Sequence, residues 1–181
     1  MVDLFGKYRV LRQTAAGGGV PVSLTAFGGL GIRTQNTTPS STGSDRSSYT
    51  AQLLIARKFS DAFSLQISPT LTSRTTPDFV TDNKNVFATG VGGRIKLTRR
   101  TSLNGEWWYV LPDQINDVYR NNFSLGFDIE TGGHVFQLLF TNSFGMSERQ
   151  FITETTGGWD KGDIQFGFNI ARTFSFNKKT R

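Results

Sequence analysis

Apolar and polar residues alternate along this chain in nine segments, and this period of two is typical of β-strands whose two faces lie in different surroundings. The clearest segment is residues 63–72, where Phe63, Leu65 and Ile67 alternate with serine and glutamine. Segments at 123–130 and 163–170 show the same division. The other six segments cover residues 4–12, 22–33, 49–58, 86–97, 102–111 and 134–143. The pattern therefore predicts an all-β fold.

The lengths of these strands and of their connections indicate a membrane barrel. The six segments named last have about 9 to 12 residues each, which suits the length that a tilted strand needs to cross a bilayer. The connections alternate between short turns, at 59–62, 98–101 and 131–132, and longer polar loops, at 34–48, 75–85, 112–122 and 144–162. This alternation is typical of transmembrane barrels. We predict an antiparallel up-and-down transmembrane β-barrel that forms one domain over residues 1–176, followed by a tail at 177–181.

The tight turns predict which residues face each other, because the length of a hairpin loop sets the register of its strands. A two-residue turn at Thr131 and Gly132 would pair Asp128 with Val135. This pairing places His134 on the apolar face of the sheet, together with the phenylalanines of the same segment.

The polar face is expected to line the lumen. A three-residue turn at 99–101 would pair Lys96 with Asn104 and Arg94 with Glu106. Rings of charged groups can set the selectivity of a pore, whereas cross-strand pairs can fill a closed interior; for Arg94 and Glu106 we favour structural pairing. The candidate lumen-lining residues are Arg94, Lys96, Asn104, Glu106, Asp128, Glu130, Gln137, Asp163, Gln165 and Asn169, together with Lys7, Arg9, Gln52, Gln66 and Arg74.

Glycine, proline and aromatic residues refine this picture. The glycine runs at 28–31 and 90–93 lie within strands, where they allow bending or leave room for bulky lumen neighbours. Pro69 removes a donor from the strand ladder, so we expect a bulge there. Aromatic girdles are expected at both membrane borders. The outer girdle would contain Tyr49, Trp107, Tyr109, Tyr119 and Phe123, and the periplasmic girdle Phe59, Phe63, Phe174 and Phe176.

The chain offers few residues for catalysis or metal binding. It has no cysteine, and its one histidine, His134, is predicted on the apolar face, which suits neither a Ser–His nucleophile pair nor a zinc site. We therefore predict no enzymatic activity and no cofactor. The loop acids lack the spacing of a calcium-binding loop and are expected to be solvated. These acids are Asp78, Asp82, Asp113, Asp117, Glu148 and Glu154.

Charge and strand number bear on partners and on the chain start. The net charge of +6 arises from scattered lysines and arginines without a basic tract, which argues against nucleic-acid binding. Bacterial single-chain barrels have an even number of strands, and the N-terminus shows no signal peptide pattern. We therefore expect at least one further strand before Met1. The alternative is that the first segment is an additional strand or a plug.

A resemblance to a known family is carried by four runs: KYRVLRQ, YTAQLLIARKFSDAFSLQISPTL, FATGVGGRIKLTRRTSLNGEWWYVLPDQ and FSLGFDIETGGHVFQLLFTNSFGMSERQFITETTGGWDKGDIQFGFNIARTF. These runs resemble a domain-of-unknown-function family of Gram-negative outer-membrane β-barrels. The resemblance covers nearly the whole chain. It implies an outer-membrane location, a signal peptide and further N-terminal strands, and it implies no biochemical activity.

The end of the chain is also similar to a known signal. The residues Phe174-Ser175-Phe176 resemble the aromatic-ended terminal strand that the barrel assembly machinery recognises, although the tail at 177–181 departs from that pattern. We expect an outer-membrane barrel that acts as a passive pore or scaffold for small polar solutes, in contact with lipid, lipopolysaccharide and the assembly machinery. The alternative is a soluble β-barrel that binds a small apolar ligand in its interior.

Overall fold

The structure, a computed structural model, describes residues 2–14, 19–34 and 46–172. Its strands coincide with the nine predicted segments. They are β1 (Val2–Leu11), β2 (Ser23–Ile32), β3 (Ser47–Lys58), β4 (Phe63–Arg74), β5 (Asn85–Lys96), β6 (Thr101–Val110), β7 (Phe123–Thr131), β8 (His134–Thr141) and β9 (Gln165–Arg172). A short helix, α1 (Glu148–Thr153), and a 3-10 turn (Trp159–Lys161) lie between β8 and β9.

The strands form one antiparallel sheet in which the spatial order follows the chain order from β1 to β9. Each strand pairs with its sequence neighbours, so the predicted up-and-down topology is confirmed. Among the described residues no strand pairs with the outer edge of β1 or of β9, and the sheet is not closed there.

The two faces of the sheet divide as the alternation predicts. On one face Ile67 and Phe166 are 50% and 64% exposed. On the other face Ser68, Thr70 and Thr72 of β4 are buried. The polar face is concave, because its side chains from β2 to β8 surround a common cavity. The polar face therefore forms the interior and the apolar face the outside.

The hairpin between β7 and β8 differs from the predicted register by two residues. Thr131 pairs with His134, and the turn consists of Gly132 and Gly133. Both glycines have positive φ, 52° and 99°, a conformation in which a threonine would be strained. The predicted turn at Thr131 and Gly132 was therefore wrong. His134 still lies on the apolar face, because a shift of two residues preserves the period of two.

The hairpin between β5 and β6 is also shifted by two residues. The prediction that 99–101 form a three-residue turn was wrong, because β6 begins at Thr101. The Thr98 hydroxyl accepts the backbone N–H groups of residues 100 and 101, and the Thr101 carbonyl accepts the N–H groups of residues 97 and 98. Arg94 consequently lies opposite Asn104, not opposite Glu106.

Pro69 does not produce the expected bulge. Pairing between β3 and β4 runs from Gln52↔Thr70 directly to Ile55↔Ile67 and continues in the same register. Because Pro69 has no backbone N–H, the pairing of β3 with β4 is interrupted locally, but neither strand contains an extra residue. A register shift does occur in β1, between residues 9 and 11.

Aromatic side chains lie at both ends of the outer face. Trp107 and Tyr109 are exposed and their ring centroids are 5.6 Å apart. At the opposite end the rings of Phe59 and Phe63 are also 5.6 Å apart. Phe174, Phe176 and the tail at 177–181 lie outside the described residues. No helix in the described ranges is long and apolar enough to cross a bilayer.

The orientation of the two faces can be tested with neighbouring residues in the middle of β4. We expect Ile67→Arg to lower the free energy of unfolding in phospholipid vesicles by about 2–4 kcal/mol, because it places a charge in lipid. We expect Gln66→Arg to cost about 0.5–1 kcal/mol, because the interior is polar. Guanidinium titration measures both values. A larger loss for Gln66→Arg than for Ile67→Arg would contradict the orientation.

Candidate functional site

The interior has two distinct regions, which we name by the connections beside them. The loop end adjoins the long connections 75–84, 111–122 and 142–164, and the turn end adjoins the short connections 59–62, 97–100 and 132–133. The loop end holds a packed side-chain cluster with a cavity of about 280 Å³ beside it. The turn end contains a larger cavity.

Helix α1 fills the loop end. Ile152 is fully buried and packs in a cluster with Val86, Ala88, Trp108 and Val110 of β5 and β6. The ring of the neighbouring Phe151 lies 5.5 Å from that of Trp108. An isolated helix of six residues is unstable in water, so this packing stabilises α1. The sequence pattern predicted only a polar loop at 144–162, and the structure adds α1, which packs against β5 and β6.

Gly90 makes room for this cluster. A Cβ at Gly90 would lie 2.8 Å from the Trp108 ring, closer than any ordinary contact. The prediction that glycines of the 90–93 run leave space for bulky interior neighbours is confirmed at this position.

Five side chains connect α1 to the surrounding loops through hydrogen bonds. We call them the cap network, and they are Arg33, Asp78, Tyr119, Arg149 and Glu154. Arg33 donates two hydrogen bonds to Asp78, of 2.6 and 3.0 Å, and one of 2.8 Å to Glu154. Arg149 donates to Glu154, and the Tyr119 hydroxyl donates to Asp78 at 3.3 Å. The network therefore connects the end of β2, two loops and α1.

In the cap network the carboxylates of Asp78 and Glu154 each accept hydrogen bonds from arginine side chains. The hydrogen bond from Arg33 holds the pKa of Asp78 below its usual range, and the same bond raises the pKa of Arg33. Burial, reinforced by the charges of Asp78 and Glu154, raises the pKa of Tyr119 to about 12. The carboxylate is therefore ionised while the phenol stays neutral and can donate its proton.

A second ion pair lies beside the cap network. The side chains of Arg74 and Asp82 are both fully buried, with Nη2 3.4 Å from Oδ2. Asp82 also accepts the backbone N–H of Asn116 at 2.8 Å. The expectation that the loop acids are solvated was wrong for Asp82 and for Glu154, whose side chain is 10% exposed. Each is held by an arginine because burial would otherwise make its charge costly.

The turn end holds a cavity of about 430 Å³ that opens into a wider mouth of about 1020 Å³. Polar and charged residues from β2 to β7, and Gln13 after β1, line the inner cavity. They are Gln13, Ser23, Arg57, Lys58, Ser64, Gln66, Arg94, Asn104, Glu106 and Ser124. Arg9, Arg12, Lys58 and Asp61 line the mouth.

Charged side chains at the turn end pair differently from the prediction. Arg94 donates to Glu130 at 3.0 Å, so the predicted pairing of Arg94 with Glu106 was wrong. Glu106 instead accepts a 2.7 Å hydrogen bond from the indole N–H of Trp108. The cause is the two-residue register shift at the β5–β6 turn, which moves Glu106 opposite Gly92.

A chain of amides extends along the same face. Asn169 donates to Gln137 at 2.8 Å, and Gln137 donates to Asp128 at 3.0 Å. These three predicted residues therefore form one cross-strand hydrogen-bond chain over β7, β8 and β9. Such a chain stabilises the sheet as well as lining its interior.

The predicted lumen set is otherwise placed as expected, with one exception. Lys96, Asn104, Glu130, Gln165 and the other strand members lie on the polar face by their register. Asp163 precedes β9, and its carboxylate accepts the backbone N–H of Gly158 at 3.2 Å, so it belongs to the loop. Within the described ranges no three His, Asp or Glu side chains cluster as a metal site.

Sequence reasoning missed α1 and the cap network. A signal was present, because Phe151 and Ile152 are adjacent apolar residues in a polar loop and are flanked by Arg149 and Glu154. Adjacent apolar residues fit neither an exposed loop nor the period-two pattern.

A comparison with protein-family models finds one match, to a family described as a membrane-bound β-barrel domain (DUF5777), over residues 1–174. No curated protein and no solved structure matches the chain. The family description agrees with the exposed apolar face and the strand topology.

The cap network can be tested with Glu154→Gln, which removes the carboxylate shared by Arg33 and Arg149 and leaves Arg149 only the longer 3.7 Å ion pair with Asp78. Breaking a buried ion pair costs about 3 kcal/mol, so amide exchange in α1 should accelerate on the order of 100-fold. Hydrogen–deuterium exchange with mass spectrometry measures this rate. Glu148→Gln is the matched control, since Glu148 makes no ion pair with the described residues. Equal rates in both variants would contradict the role of the network.

The Trp108 packing can be tested at two glycines of β5. We expect Gly90→Ala to lower the free energy of unfolding in detergent micelles by about 1–3 kcal/mol, because the indole is held between α1 and the sheet. Gly92→Ala is the control, since its Cβ would lie 3.8 Å from the Gly105 carbonyl oxygen, an ordinary contact. A loss in Gly92→Ala as large as that in Gly90→Ala would disprove the steric explanation.

Proposed function

We propose that this chain, which belongs to the DUF5777 family of membrane-bound β-barrel domains, acts as a passive pore or scaffold for small polar solutes in the outer membrane of a Gram-negative bacterium. The observation that carries the proposal is the charged cavity on the concave face of a sheet whose opposite face is apolar. An apolar ligand would be poorly matched to Arg94, Asn104 and Glu106. No observation favours the soluble alternative.

The connections support an outer-membrane location. The short hairpins 59–62, 97–100 and 132–133 lie at one end, together with the longer connection between β1 and β2, and the connections 75–84, 111–122 and 142–164 lie at the other. In bacterial outer-membrane barrels the short turns are periplasmic. In this orientation the turn-end cavity opens towards the periplasm, and α1 lies at the extracellular end of the interior. The partners in this proposal are lipid, lipopolysaccharide and the barrel assembly machinery, and no catalytic step is included.

A bilayer imposes one further requirement on the proposal. The outer edges of β1 and β9 carry backbone groups that lack a strand partner among the described residues. In hydrocarbon each unpaired group costs several kcal/mol. These edges must therefore pair, with each other or with further strands, when the sheet lies in a membrane.

The position of α1 decides between a pore and a scaffold. In the described conformation Ile152 and Phe151 occupy the loop end of the interior, so a solute that enters at the turn end meets a packed cluster. The cavity of about 280 Å³ beside α1 shares Glu106 and Ser124 with the turn-end cavity, so we expect α1 to restrict passage, and its movement breaks the cap network. A barrel in which α1 never moves is a scaffold with a solute-accessible cavity.

Planar-bilayer recordings separate these two forms. We expect the full-length wild-type protein to conduct rarely, and the double variant Arg149→Ala, Glu154→Ala to open at least about tenfold more often, because about 1.4 kcal/mol corresponds to a factor of ten in an equilibrium. Lys161→Ala, in the exposed 3-10 turn of the same loop, is the control and should behave as wild type. Absence of conductance in all three proteins would exclude the pore and favour the scaffold.

A further inference from the structure

Glu106 belongs to a row of residues that lie opposite one another in register across β2 to β9, and the other members of this row are uncharged. Its neighbours in register are Gly92 on β5 and Ser124 on β7. The rest of the row also lacks charge, and consists of Ser23, Ala56, Gln66, Thr141 and Gln165. No cation therefore faces Glu106 from an adjacent position in this row.

The carboxylate of Glu106 has only one hydrogen-bond partner among the described residues. That partner is the Trp108 indole N–H, and no arginine or lysine in the described ranges forms an ion pair with Glu106. A carboxylate has about four acceptor positions, and the described residues use only one of those on Glu106. By contrast, Glu130 is paired with Arg94 and Asp128 accepts from Gln137. Glu106 therefore presents unused acceptor positions to the cavity that it lines.

Glu106 is accessible to a solute. It lines the 430 Å³ cavity and also a second cavity of about 280 Å³ that lies beneath residues 143–146 beside α1. Its side chain remains exposed within this space. Cavities of about 300–1000 Å³ are typical of small-molecule sites.

We propose that Glu106 binds the ammonium group of a small primary amine that enters the turn-end cavity. The ammonium supplies the missing positive charge and three N–H donors. Asn104, two residues away on the same face, makes no side-chain hydrogen bond with the described residues, and its amide oxygen can accept a second N–H. This proposal rests on the solute-accessible interior of the proposed function, and it does not require conduction.

Trp108 provides a direct reporter for this site, because its indole donates to the same carboxylate. We expect methylammonium chloride, added at constant ionic strength to the full-length protein in detergent micelles, to cause a saturable change in tryptophan fluorescence. In Glu106→Gln the affinity should fall by about 10-fold to 100-fold, the loss of one charged hydrogen bond. Asp128→Asn, a carboxylate change on the same face, should retain wild-type affinity.

The controls separate specific binding from general charge effects. Circular dichroism and heat-modifiable migration check that Glu106→Gln is folded, and calorimetry with the Trp108→Phe variant checks that binding persists when the reporter is absent. Tetramethylammonium chloride carries the same charge without an N–H donor and should not bind. An equal response to both salts, an unchanged affinity in Glu106→Gln, or no saturable response in wild type would each overturn the proposal.

The bilayer and binding experiments have independent outcomes, so the pore proposal and the ammonium-site proposal can each be rejected without the other. Methylammonium binding without conductance in any protein would exclude the pore and support the ammonium site. Conductance without methylammonium binding would support the pore and overturn the ammonium site.

Discussion

Strand pairing at a constant parity is the constraint on which the whole structure depends. Each of the eight strand pairs is antiparallel, and each keeps a constant parity of register except at the shift in β1 between residues 9 and 11, so alternate residues stay on their own face. A slip of one residue would move every side chain to the wrong face, whereas a slip of two changes only the neighbours. The hairpins at 97–100 and 132–133 illustrate this difference, because their registers were mispredicted by two residues and both faces were still assigned correctly.

The polar face serves two purposes along its length. At the loop end, threonines and small apolar residues accommodate α1, and Gly90 leaves the space in which Trp108 meets Phe151. At the turn end, Gly92 and Ser124 beside Glu106 are too small to fill the interior, and a cavity remains. The distribution of small and large side chains therefore decides which part of the interior is packed and which part admits solutes.

The carboxylates of the loop end and of the turn end differ in how they are paired with cations. Every carboxylate of the cap network and Asp82 has an arginine partner, as burial requires. At the turn end Glu130 pairs with Arg94, whereas Glu106, which lines the cavity, forms no ion pair with the described residues. At the turn end the free acceptor positions of the Glu106 carboxylate can therefore be occupied by a solute or by water.

The sequence by itself determined the strands, their order and the face of each strand residue, because a period of two is a local property that survives small errors in register. It also placed the glycines of 90–93 inside a strand and His134 on the apolar face. Only the tertiary structure decided that Arg94 pairs with Glu130, that Glu106 forms no ion pair within the described ranges, and that α1 packs on the polar face of the sheet. These outcomes depend on contacts between residues far apart in the chain, such as Arg33 with Glu154, and on how the curved sheet brings β5, β6 and β7 around one space. No local pattern encodes such distances.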